Sequence, residues 1–227
     1  MKSTLMILIV AASLALAVGL LPRHVGEKTA TAQAADPSAA AAAAEQQSPP
    51  GIDPRYRVAL YDDKDAPAAG PTNPSVTLVE FFDYRCPYCK QMNAGIDQLL
   101  SEFPNLRVVF KEFPILAPDS LTAAKAALAA NAQGKYLPYH RLLLAHRGDF
   151  DQATLDDLAQ QAGLDIQRLH RDMEDPAYIA QMRATRKLAQ EIGVEGTPAF
   201  ILGDQLIGGA VPVEDLRQAI MKIQQGG

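Results

Sequence analysis

The sequence predicts an α/β protein, with a mixed sheet flanked by helices and a block of helices inserted in its middle. Three observations carry this. Val76–Phe82 (VTLVEFF) is an apolar run rich in β-branched and aromatic residues, the pattern of a buried strand. From Lys90 the apolar residues Met92, Ile96, Leu99, Leu100 and Phe103 fall at helical spacing, and Leu106–Phe113 (LRVVFKEF) then reads as a second buried strand. Such a strand–helix–strand unit crosses over right-handed into a parallel pair. Residues 119–193 are almost wholly helical in pattern, and strand character returns only after them.

Taken in order, Val58–Tyr61 is expected to form a short first strand, and Pro67–Pro74 a turn-rich connection. The helix after the first long strand runs from about Pro87 to Glu102 and stops at Pro104-Asn105. In the helical block the predicted helices are Ser120–Gln133, Lys135–His146, Thr154–Ala162, Ile166–Met173 and Ala177–Ile192. Pro138 is tolerable because it falls in a first turn. Ala199–Leu202 and Gln205–Ile207 form a hairpin about the Gly203-Asp204 turn, adding antiparallel strands to the same sheet. Val213–Ile223 is a last helix, with Leu216, Ile220 and Ile223 on one face.

The net charge of −5, with no basic tract, argues against a nucleic-acid partner, and 48% hydrophobic residues suffice for a core. Lys2 precedes an apolar stretch, Leu5–Leu21, as in the n- and h-regions of an export signal. Its length is at the edge of what spans a bilayer. Ala32-Gln33-Ala34 offers a cleavage site. Residues 1–34 are therefore expected to be a signal peptide or an N-terminal anchor, and residues 35–51 an Ala/Pro-rich linker. Residues 52–227 are the folded domain, with the helical insertion at about 119–193. Either reading of the N-terminus delivers the domain, soluble or tethered, to an exported, oxidising compartment such as the periplasm. The linker reads as a flexible tether; the alternative is a helical stalk that makes the protein a homo-oligomer.

The only two cysteines, Cys86 and Cys89, flank Pro87-Tyr88 at the strand-to-helix junction. A Cys-x-x-Cys in that position is a redox motif. The first turn of a helix offers free N–H groups and a partial positive charge. A thiolate there is stabilised, and its pKa falls from about 8.5 to somewhere between about 3.5 and 7.5. Cys86 is therefore expected to be the exposed nucleophile. Cys89, one turn on and more buried, would attack the mixed disulfide and release the substrate. Pro87 suits a helix start because its missing N–H has no partner to lose. Zinc would need two more ligands, and His140, His146 and His170 are not close-spaced with the motif. No metal site is expected, and no cofactor beyond the redox-active Cys86–Cys89 disulfide itself.

EFFDYRCPYCK, FKEFPIL, the helical insertion and GVEGTPAFILGDQLIGG together resemble the DsbA-like thiol–disulfide oxidoreductases of the thioredoxin superfamily. The resemblance covers roughly residues 60–227 and is closest to the Com1-like and ScsC-like periplasmic branch. It implies a thioredoxin fold and an exported protein disulfide oxidoreductase or isomerase, which forms, reduces or shuffles disulfides in cysteine-containing exported proteins. It also implies a membrane redox partner, either a DsbD/ScsB-like reductant or a DsbB-like oxidase. In such proteins a cis-proline, here Pro198, faces the dithiol, and the residue before it, here Thr197, offers its backbone to an extended substrate segment. Pro87 and Tyr88 would also meet substrate. Threonine at this place, with CPYC, is similar to the isomerase-like and ScsC-like branches and leans toward shuffling or reduction.

Glu80 stands where related proteins keep a buried acid, and its carboxylate could take the proton from Cys89. The other reading is a structural charge paired with Lys111. Lys111 and Glu112 otherwise read as structural or edge-facing, the alternative being a role in tuning the thiols. Tyr84, Phe113 and Ile115 either line an apolar groove with Tyr88 or simply pack. His140 reads as a satisfied imidazole among leucines, and His146 and His170 as helix-terminal residues. Soft thiolates also suit Cu(I), and some ScsC-like relatives are linked to copper tolerance. A thiolate-based copper-binding protein on the same fold is thus the alternative function.

Overall fold

A computed structural model describes residues 51–226 of the protein; the expectations for residues 1–34 and for the linker up to residue 50 lie outside them. The first element is a 3₁₀ turn, Pro54–Tyr56, that runs into a short helix α1 (Arg57–Tyr61). This corrects the strand expected at Val58–Tyr61. Asp53 caps the turn by accepting the Arg55 N–H, and Pro54 stands at its first position, so the start signals outweigh the β-branched Val58. Of α1 only Leu60 is buried, while Val58 is 68% exposed.

A two-residue strand β1 (Ala68–Ala69) follows, within the segment expected to be only turns. Two alanines carry no strand signal of their own. They are held by antiparallel pairing with Val108 and Val109. Then come β2 (Val76–Phe82), α2 (Pro87–Glu102) and β3 (Leu106–Glu112). The insertion comprises α3 (Pro118–Ala132), α4 (Tyr136–Ala145), α5 (Gln152–Gln161), α6 (Ile166–Asp172) and α7 (Pro176–Glu191). The chain returns through β4 (Ala199–Leu202), β5 (Gln205–Gly208) and α8 (Val213–Gln224).

The sheet order is β1-β3-β2-β4-β5, with β2 and β3 parallel and the other pairs antiparallel. It is a thioredoxin-like fold: a mixed five-stranded sheet flanked by helices, with helices inserted between β3 and β4. Strand alternation splits the core in two. Leu78 and Phe82 of β2, with Val108 and Phe110 of β3, face α2, α8 and most of the insertion. Val79, Phe81 and Val109 face a smaller core with Leu60, Leu188 and Val194. Two close approaches fix the frame around the site. Gly95 of α2 lies against Val213 of α8, where a Cβ would come within 2.1 Å of the valine Cγ2. The β4–β5 turn needs positive φ at both Gly203 and Asp204, the arrangement that suits a two-residue hairpin.

Candidate active site

Strand β2 ends at Phe82, and the next three residues each send a polar group into the insertion or its entry. Asp83 accepts hydrogen bonds from the Ile115 and Leu116 N–H groups at 2.7 and 2.9 Å and from the Ser120 hydroxyl at 2.7 Å. Tyr84 Oη lies 3.0 Å from Glu112 Oε1 and 2.9 Å from His140 Nδ1. With a single phenolic proton it donates to one partner and accepts from the other. Tyr136 donates to the same Glu112 oxygen at 2.8 Å. Arg85 pairs with Asp119 at 3.5 Å and Asp149 at 3.0 Å, and also donates to the Gly148 carbonyl. Asp83-Tyr84-Arg85 is therefore a strap, pinned at three points, that delivers Cys86.

Cys86 is the N-cap of α2, with extended backbone, and Pro87 opens the helix. Its sulfur accepts the Cys89 N–H at 3.4 Å, and its thiol donates to the Thr197 carbonyl at 3.2 Å. The Thr197–Pro198 peptide is cis. Both cysteines are reduced. The Cys86 pKa is lowered to about 6, chiefly by the hydrogen bond from the Cys89 thiol, against the cost of burial and with further help from the Thr197 side chain and the Cys89 and Tyr88 N–H groups. Burial drives the Cys89 thiol the other way, reinforced by its hydrogen bond to Cys86 and by Glu80. The pair is thus split into one ready thiolate and one firmly protonated thiol. One expectation needs correction: Cys86 is only 2% exposed, because the Thr197 carbonyl, 111 residues away in sequence, covers its sulfur.

Glu80 lies on the face of β2 shared with Leu78 and Phe82, and it is 1% exposed. Its Oε1 is buried without a partner. Burial first, then the nearby Cys86 and Asp97, push its pKa up to about 8. The pairing with Lys111 does not form. Lys111 is on the opposite face and pairs with Asp63 at 2.5 Å. Lys111 and Glu112 are not edge-facing either, being 2% exposed apiece. Burial holds Glu112 well above the usual carboxylate range, in spite of the two phenols that favour its anion. Burial likewise lowers the His140 pKa to about 3, so its imidazole is neutral.

Tyr88 projects outward between the cysteines at 59% exposure and Tyr84 is buried, whereas Phe113, though mostly buried, lines with Ile115 two surface depressions on the other side of the sheet. Ile115 is half-buried. His146 is the C-cap of α4 and His170 lies in the last turn of α6. Asp83 and Arg85 were missed in the sequence. Their one signal is that two charges interrupt an apolar run immediately before the motif. Among the described residues no group of three or more His, Cys, Asp or Glu side chains is placed to hold a metal ion.

Residues 77–221 match the family model of the DSBA-like thioredoxin domain. The chain belongs to that family. Its DsbA-like domain is similar to a thioredoxin-like oxidoreductase from Silicibacter pomeroyi, with 40% identity, coverage of 74% of this chain and 98% of the other, and a TM-score of 0.71. A periplasmic thioredoxin-like protein from Salmonella enterica serovar Typhimurium is 31% identical, with 77% and 98% covered and a TM-score of 0.70. The thiol-disulfide exchange protein alpha-DsbA2 from Wolbachia pipientis is 32% identical, with 76% and 92% covered and a TM-score of 0.70. Proteus mirabilis ScsC, at 24% identity, shares the fold with a TM-score of 0.69. Among curated proteins, the Na(+)/H(+) antiporter NhaA 1 of Salinispora arenicola is 33% identical over 159 residues, 66% of this chain. The chain spans about a quarter of the length of such antiporters, 24% for this one. By family and by structural neighbours this is a disulfide-oxidoreductase domain of the DsbA kind, and the relative from Salmonella is periplasmic.

Proposed function

We propose that the protein is an exported enzyme that exchanges disulfides in protein substrates through Cys86 and Cys89, with a lean toward shuffling or reduction. The observation that carries this is the Cys86 sulfur at the helix N-cap, 3.2 Å from the carbonyl of the cis Thr197–Pro198 peptide. A ready thiolate and the backbone of the loop that enters β4 are thereby juxtaposed, and that backbone is where an extended substrate chain would pair.

In the reducing direction the Cys86 thiolate attacks a substrate disulfide, and one substrate sulfur leaves as a thiolate. The Cys89 thiol then gives its proton to the ionised form of Glu80, which is a minority below about pH 8, and attacks the Cys86 sulfur. This frees the second substrate thiolate and leaves the Cys86–Cys89 disulfide. A membrane reductant of the DsbD/ScsB kind would restore the dithiol, whereas a DsbB-like oxidase would serve the reverse direction. A Cys86 pKa of about 6 supports the lean, because strong oxidases of this fold reach about 3.5. Nothing in the comparisons favours the copper-holding alternative.

The test is the reduction potential against glutathione, measured beside insulin reduction and the rescue of scrambled ribonuclease. We expect a potential more reducing than about −180 mV and activity in both assays. A potential near −120 mV would reverse the assigned direction. Loss of neither activity in Cys86→Ser would remove the dithiol from the mechanism altogether.

A further inference from the structure

Three depressions lie end to end on the side of the sheet opposite α2. The first, about 280 Å³, lies against Thr197 and Pro198. It shares Gly193, Val194 and Glu195 with a second of about 450 Å³. That one in turn shares Phe113, Ile115 and Arg186 with a third of about 580 Å³, which opens onto Leu116, Leu121 and Met182. Phe113, Val194 and Ile115 belong to the smaller core, so the trough is separate from the α2 face of the molecule.

Two properties of the trough define its occupant. Among the described residues only four large hydrophobic side chains are exposed, and two of them, Leu116 and Leu121, line the far basin. Exposed apolar side chains that share one basin mark a contact surface. Leu116 is moreover tied to the active site, since its N–H donates to Asp83, three residues before Cys86. The second property is charge. Arg183 and Arg186, one turn apart on α7, line the far basin, are exposed, and form no ion pair among the described residues. On a chain of net charge −5 an unpaired cationic rim is out of keeping with the average, and guanidinium groups suit carboxylates.

We propose that this trough is a substrate subsite for an extended polypeptide segment that carries, on one side of its reactive cysteine, an acidic residue and then a large apolar one. The cysteine meets Cys86, the acidic side chain meets Arg186 and Arg183, and the apolar side chain enters the basin at Leu116 and Leu121. The inference deepens the proposed function and rests on it.

The test uses the reduced full chain and peptides whose single cysteine is capped as a disulfide with thionitrobenzoate. The Cys86 thiolate attacks the peptide sulfur, the capped disulfide breaks, and thionitrobenzoate leaves as a coloured thiolate. Cys89 then resolves the mixed disulfide. Each rate is divided by the same variant's rate with capped N-acetylcysteine, which reads the dithiol without the trough. Peptides with the acidic and apolar pair should react about tenfold faster, on this scale, than peptides with lysine and serine in those places. R183E/R186E should invert the charge preference, Leu121→Asp should abolish the apolar preference, and added salt should weaken only the first.

Equal normalised rates for all peptides, or the wild-type pattern in both variants, would overturn the subsite. So would variants that alter only binding to anionic phosphatidylglycerol vesicles or only the mass in light scattering, which would assign the trough to a lipid surface or to a second copy. If capped N-acetylcysteine reacts while no peptide does, the reading of protein substrates fails, and the subsite with it.

Discussion

Lys111 Nζ meets Asp63 Oδ2 at 2.5 Å on the smaller-core face of the sheet, while Glu80 stands without a partner on the other. Alternation along β2 and β3 makes the outcome unavoidable: Glu80 and Lys111 point to opposite faces, so no rotamer brings them together. Breaking the pair from one side strands a buried ammonium. Asp63→Asn should therefore lower the urea midpoint, at a cost of about 3–5 kcal/mol.

Glu80 gives a pH dependence with a definite sign. Its folded pKa of about 8 lies above the ordinary value of 4.5, so the fold holds this proton longer than the unfolded chain does. The group costs nothing below about pH 4.5; stability falls as pH rises from there to about 8 and is level above. Glu80→Gln should flatten that slope and raise stability at pH 9 by several kcal/mol, since each tenfold difference in proton affinity between folded and unfolded chain is worth about 1.4 kcal/mol. The same change should slow resolution of a preformed mixed disulfide by about 100-fold, the penalty for losing a proton acceptor. Quenched-flow trapping reads it.

The Cys86 thiol should be half-ionised at about pH 6, seen as thiolate absorbance in the reduced protein and absent in Cys86→Ser. Alkylation at neutral pH should mark Cys86 and leave Cys89 untouched.

Tyr84→Phe removes a phenol that satisfies both Glu112 and His140 in a dry place. Urea titration should show a loss of about 1–3 kcal/mol, the usual cost of stranding buried polar groups.

Gly95→Ala pushes a methyl into Val213 and should destabilise by about 1–3 kcal/mol. Adding Val213→Ala should restore most of it, as a double-mutant cycle between touching residues would read.

Local pattern carried the reading of the fold wherever a period of 2 or 3.6 runs for several residues. β2 and α2 begin and end where the sequence predicts, Val76–Phe82 and Pro87–Glu102. Short elements were not legible. α1 depends on a cap at Asp53 and β1 on pairing with β3, and neither leaves a period in five residues or two. In the site, the motif and its neighbouring proline could be read directly. The burial of Cys86 could not, because its cover comes from Thr197 in another part of the chain. The Asp83 and Tyr84 partners were hidden for the same reason: Glu112, Ile115 and His140 lie 28 to 56 residues away in sequence.

The strap bears on how a helical insertion can matter to a reaction it does not perform. Three consecutive residues before Cys86 are anchored respectively to the entry of α3, to the β3–α4 cluster and to the loop after α4. Any tilt of those helices moves the anchors together, and the shift arrives at the nucleophile, whose acidity depends on its contacts with the Cys89 thiol, the Thr197 side chain and the first-turn N–H groups. Substitutions buried well inside the insertion can therefore retune the reactivity of the enzyme without touching a cysteine, its proline or a substrate. Selection on that block could adjust the ease of electron transfer while the exchange chemistry stays constant.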